Sequence, residues 1–199
     1  MTGSQVDIRL LGFGDFEASK RFLRSLEDEI WVERWDREPQ LDVVRPTDLH
    51  SAVDLKHELE LSCQVAVISA HGGWDGQRMF FSGEGDQRLY VDMIGRLGAT
   101  SAVLIDACFA RKFFAQLRGH AQQGVILVGA DSQDETAYGC DSVTVTADVI
   151  REMCYTNEAR LDSSAVDRAV KRVNAKITAR NEHVPGSNTG RPLAVMWKC

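Results

Sequence analysis

Two apolar runs, each ending in a residue able to do chemistry, constrain this chain more than any other feature. The first is Val65-Ala66-Val67-Ile68-Ser69-Ala70, which runs into His71-Gly72-Gly73. The second is Ala102-Val103-Leu104-Ile105, which runs into Asp106-Ala107-Cys108. Short runs rich in β-branched residues, apolar at consecutive positions, fit strands buried on both faces of a parallel sheet. In an open parallel sheet, chemistry collects just beyond the carboxyl ends of the strands. Neighbouring strands lie about 4.8 Å apart. If these two are neighbours, an imidazole and a thiol come within reach of each other at one edge of the sheet.

The rest of the chain alternates between strand and helix patterns, as a doubly wound sheet requires. Val6 to Gly14 reads as a first strand ending in a glycine turn. Phe16, Phe22, Leu23, Leu26, Ile30 and Trp31 recur at largely helical spacing between Phe16 and Arg34. Leu41 to Val44, flanked by Pro39 and Pro46, fits an edge strand, and Thr47 is positioned to cap the helix that follows through Leu61. Met79-Phe80-Phe81 and Arg88-Leu89-Tyr90-Val91 flank a glycine-rich turn. They predict a small hairpin off the main sheet, followed by a short helix over Asp92 to Leu97. Arg111 to Gln122 reads as helix, Gly124 to Ala130 as strand and Asp131 to Gly139 as a polar loop. Two helices, Ser142 to Cys154 and Ser164 to Asn181, precede a final strand from Leu193 to Trp197. With no linker, repeat or low-complexity tract, residues 1–199 read as one domain.

Composition removes several classes of function. The formal net charge of -6 argues against nucleic acid as the partner, because phosphate binding needs a basic footprint. No apolar run approaches the ~20 residues that span a bilayer, and Met1-Thr2-Gly3-Ser4-Gln5 has neither the basic nor the apolar part of a signal peptide. Neither GxGxxG nor a P-loop occurs, so nucleotide binding has no support. The five cysteines are odd in number and lack CxxC spacing, which argues against a zinc site or a disulfide framework and for a reducing, cytoplasmic setting. His50 and His57 could share a helix face but lack the further ligands that zinc takes. No metal or cofactor is expected.

Cys108 and His71 suit nucleophilic catalysis. A cysteine attacks as thiolate and needs a base or a positive neighbour; His71 can take its proton and return it to a leaving amine. The oxyanion needs backbone donors. Gly72, with no side chain, can bring its N–H close to a bound carbonyl, and the N–H of Cys108 is the natural second donor. Cys108 also precedes a helix, whose N-terminus favours a thiolate. Taken singly, the residues have plainer readings: a buried cysteine is commonly a small hydrophobe, and His-Gly after a strand is commonly a turn. Their equivalent positions on two strands favour catalysis.

A hydrophobic block ending in His-Gly, then another ending in Asp/Gln-Ala-Cys, resembles the caspase-like cysteine peptidases, and among them most nearly the metacaspase and CHAT types. Ser69 to Gly73 and Leu104 to Cys108 carry the resemblance, and Asp131-Ser132-Gln133-Asp134-Glu135-Thr136-Ala137 is similar to the acidic loop of metacaspases. The resemblance implies a three-layer α/β/α sandwich around a six-stranded, mostly parallel sheet. Its strand order would be 2-1-3-4-5-6 with the last strand antiparallel. It also implies a cysteine endopeptidase working through a Cys108–His71 dyad on a protein or peptide substrate. A nearly bare catalytic domain would depend on an activating or targeting partner. The alternative is a catalytically silent caspase-like module acting through protein interactions. Caspases carry Gln-Ala-Cys-Arg/Gln-Gly, whereas this chain reads Asp106-Ala107-Cys108-Phe109-Ala110, and the His–Cys separation is shorter than the ~50 residues of caspases. Aspartate specificity therefore does not carry over, and the segment between the fifth strand and the next helix is too short for a long maturation linker, so no cleavage into two subunits is expected.

A pocket for Arg or Lys needs an acidic floor, because a buried unpaired charge is costly. Asp131 and Asp134, after the fifth strand, and Asp15, after the first, are the candidate substrate-binding acids. They could equally cap local turns. Calcium acts through acidic loops in metacaspases, but it takes 6–8 oxygen ligands and no compact ligand loop is visible here.

Overall fold

The computed structural model describes residues 6–14, 23–24, 26–28, 43–131, 142–155, 161–182 and 193–199. The consecutive apolar residues at 65–68 and 102–105 are buried on both sides, and they form the two central strands of the main sheet. In chain order its strands are β1 (Val6–Phe13), β2 (Val43–Leu49), β3 (Cys63–Trp74), β6 (Ala99–Asp106), β7 (Ile126–Ala130) and β8 (Ala194–Lys198). They lie in the order β2-β1-β3-β6-β7-β8, with β8 antiparallel to β7 and the other pairs parallel. Two shorter strands, β4 (Met79–Ser82) and β5 (Arg88–Tyr90), form a hairpin attached to β3.

The faces of the sheet are covered by helices, giving a mixed α/β three-layer arrangement. One core contains Val65, Val67, Ala102, Leu104, Ile126 and Val128. These pack against α3 (Ser142–Tyr155) and α4 (Ser163–Glu182), which contribute Val149, Ile150, Val166 and Val170. The other core contains the intervening residues Ala66, Ile68, Val103, Ile105 and Leu127. It packs against α1 (Ala52–Glu60), α2 (Ala110–Leu117) and the hairpin. The assignment of alternate residues to opposite cores is the period of two of a β-strand. Helix α2 shows the helical counterpart: Ala110, Phe113, Phe114 and Leu117 are all buried on one face. Phe113 stacks on Phe81 of the hairpin with ring centroids 4.4 Å apart.

Three expectations need correction. Thr47 does not cap a helix: it lies within β2, opposite Leu11 of β1. The register slips by one residue between the pairs Arg9–Val44 and Leu11–Thr47, so Arg45 and Pro46 share a bulge and the strand continues past the proline. The cap of α1 is Ser51, whose Oγ accepts from the Asp54 N–H at 3.1 Å. The segment from Asp92 to Leu97 is not an α-helix; a single 3-10 turn over Val91–Met93 is all that forms. The run from Val65 does not turn at His71-Gly72, because those residues pair with β4 and prolong β3 to Trp74. Of the helix expected between Phe16 and Arg34, residues 23–24 and 26–28 are helical, with Leu23 and Leu26 buried in the first core. Its remainder, and most of the acidic loop after Asp131, lie outside the described residues.

Arg9, Asp106 and Glu152 are the buried charged residues among those described. Arg9 of β1 is almost wholly buried and donates to Glu58 of α1 at 2.6 Å. Removing one partner of such a pair strands the other, so Glu58→Ala should destabilise the fold by about 2–3 kcal/mol, toward the lower end for buried pairs because Glu58 is partly exposed. Urea denaturation should show the double variant Arg9→Met/Glu58→Leu closer to wild type than Glu58→Ala alone. Burial also pushes the nearby Cys63 thiol up to about 11, against the opposing pull of Arg9. The folded chain thus keeps a proton that the unfolded chain releases at lower pH. The associated stability is present below the ordinary thiol range and is lost as pH rises toward 11. The fall in urea midpoint between pH 8.5 and 11 should be shallower in Cys63→Ala.

Candidate functional site

Strand β3 changes partner at the candidate base. Its last pair with β6 is Ser69–Asp106, its last with β1 is Ala70–Phe13, and its first with β4 is His71–Ser82. His71 therefore stands at the branch between the main sheet and the hairpin, and it is exposed. Cys108 lies two residues beyond Asp106, as His71 lies two beyond Ser69, so both sit at corresponding places past the end of the same parallel ladder. Cys108 is a free thiol at intermediate burial.

The closeness of these two segments is recorded at Gly72. A Cβ added there would sit 2.5 Å from the Cys108 carbonyl oxygen, 2.7 Å from a Phe113 ring carbon and 3.2 Å from the Cys108 nitrogen. Real Cβ atoms do not approach carbonyl oxygens that closely, so this position admits glycine alone without a backbone shift. The next residue is equally tight: a Cβ at Gly73 would lie 2.3 Å from the Phe80 ring of the opposing strand. Gly72 thus lets the strand backbone pass against that of Cys108, while Gly73 leaves room for the Phe80 ring.

Cys108 is followed by a strained corner. Phe109 has φ 62° and ψ 33°, and it is the one non-glycine residue with positive φ among those described. An L-residue pays roughly 1–2 kcal/mol for this left-handed conformation. Phe109 caps α2 through its backbone, its carbonyl accepting from Lys112 at 2.8 Å and from Phe113 at 3.1 Å. The Lys112 ammonium lies 5.0 Å from the Phe109 ring centroid and 5.2 Å from that of Trp74, linking the tip of β3 to the start of α2.

Two residues escaped the sequence reading. Ser69 donates to Asp106 at 3.0 Å, and both are almost fully buried directly behind the His71 and Cys108 positions. For Ser69 the signal was present in the period of two, since it lies two residues before His71 in the same strand. Asp131, expected in a substrate pocket, accepts a two-bonded fork from Arg111, Nε to Oδ1 at 2.7 Å and Nη2 to Oδ2 at 2.8 Å. Asp134 and Asp15 lie outside the described residues. Among the described residues, no group of three or more His, Cys, Asp or Glu could hold a metal ion. No described helix is long and apolar enough to cross a membrane.

The arrangement is a parallel sheet with helices on both faces and a His and a Cys past adjacent strand ends, and its architecture resembles the general caspase-like fold. It is similar to the Drosophila initiator caspase Dronc, with a TM-score of 0.50 and 7% sequence identity, over 97% of this chain and 78% of that one. At that identity the likeness is weak and partial, and it concerns the fold alone. No protein-family model and no curated protein sequence matches the chain.

The fit at Gly72 yields a direct test. Gly72→Ala should destabilise the fold by about 1–3 kcal/mol, the usual cost of overpacking. It should also slow alkylation of Cys108 by peptide electrophiles more than Gly119→Ala, a position where an added Cβ meets only the Gln116 carbonyl oxygen at 3.9 Å. Denaturation and intact-mass labelling of the two variants measure both effects.

Proposed function

We propose that the chain is a cysteine endopeptidase of the caspase-like type, with Cys108 as nucleophile and His71 as its base. The observation that carries the reading is the contact of Gly72 with the Cys108 backbone beyond the paired ends of β3 and β6. A glycine demanded by close approach, next to a histidine and against a cysteine, fits a site where two N–H groups must converge on one oxygen.

In this reading His71 takes the thiol proton and Cys108 Sγ adds to the scissile carbonyl carbon. The N–H groups of Gly72 and Cys108 stabilise the resulting oxyanion. Collapse expels the amine, which leaves with the proton from His71. Water then gives a proton to His71 as its oxygen adds to the thioester, and the acid is released as the thiol re-forms.

For the residue cleaved after, we favour Arg or Lys, with Asp134 and Asp15 as the candidate acids. Asp131 fits this role less well, since its charge is balanced by Arg111. A second reading, a catalytically silent module that works by binding a protein, draws on one observation. Trp197 of the edge strand β8 is 40% exposed, and exposed aromatics on sheet edges suit protein partners. On either reading the chain would work with an activating or targeting protein partner.

Intact-mass labelling with a peptidyl-arginine chloromethyl ketone, and with its aspartyl analogue, separates the readings. Wild type should take one adduct, Cys108→Ala none, and His71→Ala should react on the order of 100-fold more slowly, as expected for loss of a general base. Asp134→Asn should weaken the arginyl reagent selectively. Absence of an adduct from either reagent, with and without calcium, would leave the binding module.

A further inference from the structure

Cys108 belongs to a three-residue corner between the end of β6 at Asp106 and the start of α2 at Ala110. The corner includes the left-handed Phe109, and such strained residues persist where their surroundings over-determine them. Several contacts do so. Gly72 presses on the Cys108 backbone, Lys112 lies near both Phe109 and Trp74, and Phe113 stacks on Phe81. The remaining tie is the fork from Arg111, in the first turn of α2, to Asp131, the first residue after β7.

This tie differs from the others in being directional. A guanidinium held by both oxygens of a carboxylate fixes orientation as well as distance. Its anchor is itself fixed, because the Asp131 N–H donates to the Leu193 carbonyl at 2.7 Å, at the entry to β8. The fork therefore runs from the Cys-bearing corner, across the neighbouring strand end, to backbone held on a second side. Both side chains are partly exposed, with Arg111 at 50% and Asp131 at 28%. At such exposure an ion pair adds little to global stability. What it can do is restrict where the first turn of α2 sits, and with it Cys108.

We infer that Arg111 and Asp131 are positioning residues for Cys108, holding its corner in register with His71, and that Asp131 is not part of a substrate pocket. The inference rests on Cys108 being the nucleophile. A pocket acid must offer net negative charge to a basic side chain, and the Arg111–Asp131 pair is neutral. A positioning pair must instead act alike on every substrate, since it sets the nucleophile and not the recognition of the side chain.

The test is saturation labelling of Cys108 by arginyl and aspartyl chloromethyl ketones, which separates the maximal rate kinact from the affinity KI. Asp131→Ala and Arg111→Ala should each lower kinact about tenfold for both reagents with KI unchanged, a loss within the range caused by sub-ångström misplacement of a reacting group. The double variant should be no slower than either single one, because the two residues act as a unit. Arg111→Lys, which keeps the charge and loses the fork, should behave like Arg111→Ala. Urea midpoints should stay at the wild-type value. A loss in Asp131→Ala confined to the arginyl reagent and carried by KI would return Asp131 to the pocket and overturn the inference. Unaltered kinact in variants of a protein whose wild type labels would overturn the inference alone. Failure of the wild type to label with either reagent would overturn it together with the proposed dyad.

Discussion

The backbone of β3 passes the Cys108 corner with no room for a side chain between them, and that contact orders much of the structure. To reach it, β3 must outrun its partners: β1 stops pairing at Ala70 and β6 at Ser69, while β3 continues to Trp74. A strand that leaves its sheet exposes unpaired N–H and C=O groups, which have to be satisfied. The hairpin does this, with β4 pairing residues 71–74 in antiparallel fashion. Phe81 of the same hairpin stacks on Phe113 of α2, so the element that completes β3 also packs the helix that follows Cys108. The two halves of the candidate site are joined by one continuous set of contacts.

The polar groups behind that contact follow the same geometry. Because β3 and β6 pair at Ser69–Asp106, a hydroxyl and a carboxylate meet in the interior immediately before the strands end. Burying a carboxylate is costly unless it is hydrogen-bonded. Asp131, at the end of the next strand, is balanced by its own arginine.

Much of this was legible in the residues. Consecutive apolar positions at 65–68 and 102–105 identified the two central strands, since only a strand buried on both faces tolerates such runs. That the two runs are neighbours stayed conditional on the residues alone and was implied by the family resemblance; β3 does pair with β6. The sequence was less informative where backbone geometry overrides local chemistry. Pro46 looked like a stop but is absorbed in a bulge, a choice set by the register of β1. His71-Gly72-Gly73 looked like a turn because glycine has no strand preference, whereas these glycines are required by the approach of Cys108 and Phe80. The left-handed Phe109 had no sequence signal, as phenylalanine is among the residues least suited to that conformation. The partners of Asp131 and Asp106 were hidden because both depend on neighbours far along the chain.

The antiparallel edge strand has a consequence for synthesis. Strand β7 is complete at Ala130, but the partner of its outer edge begins at Ala194. At translation rates of about 5–20 residues per second, the intervening stretch takes roughly 3–13 s to make. Throughout that interval the nascent chain presents the bare edge of Ile126-Leu127-Val128, three residues that are fully buried in the finished fold. Unpaired apolar edges of this kind recruit strands from other chains. The time before β8 arrives is therefore the period in which this protein is most exposed to aggregation.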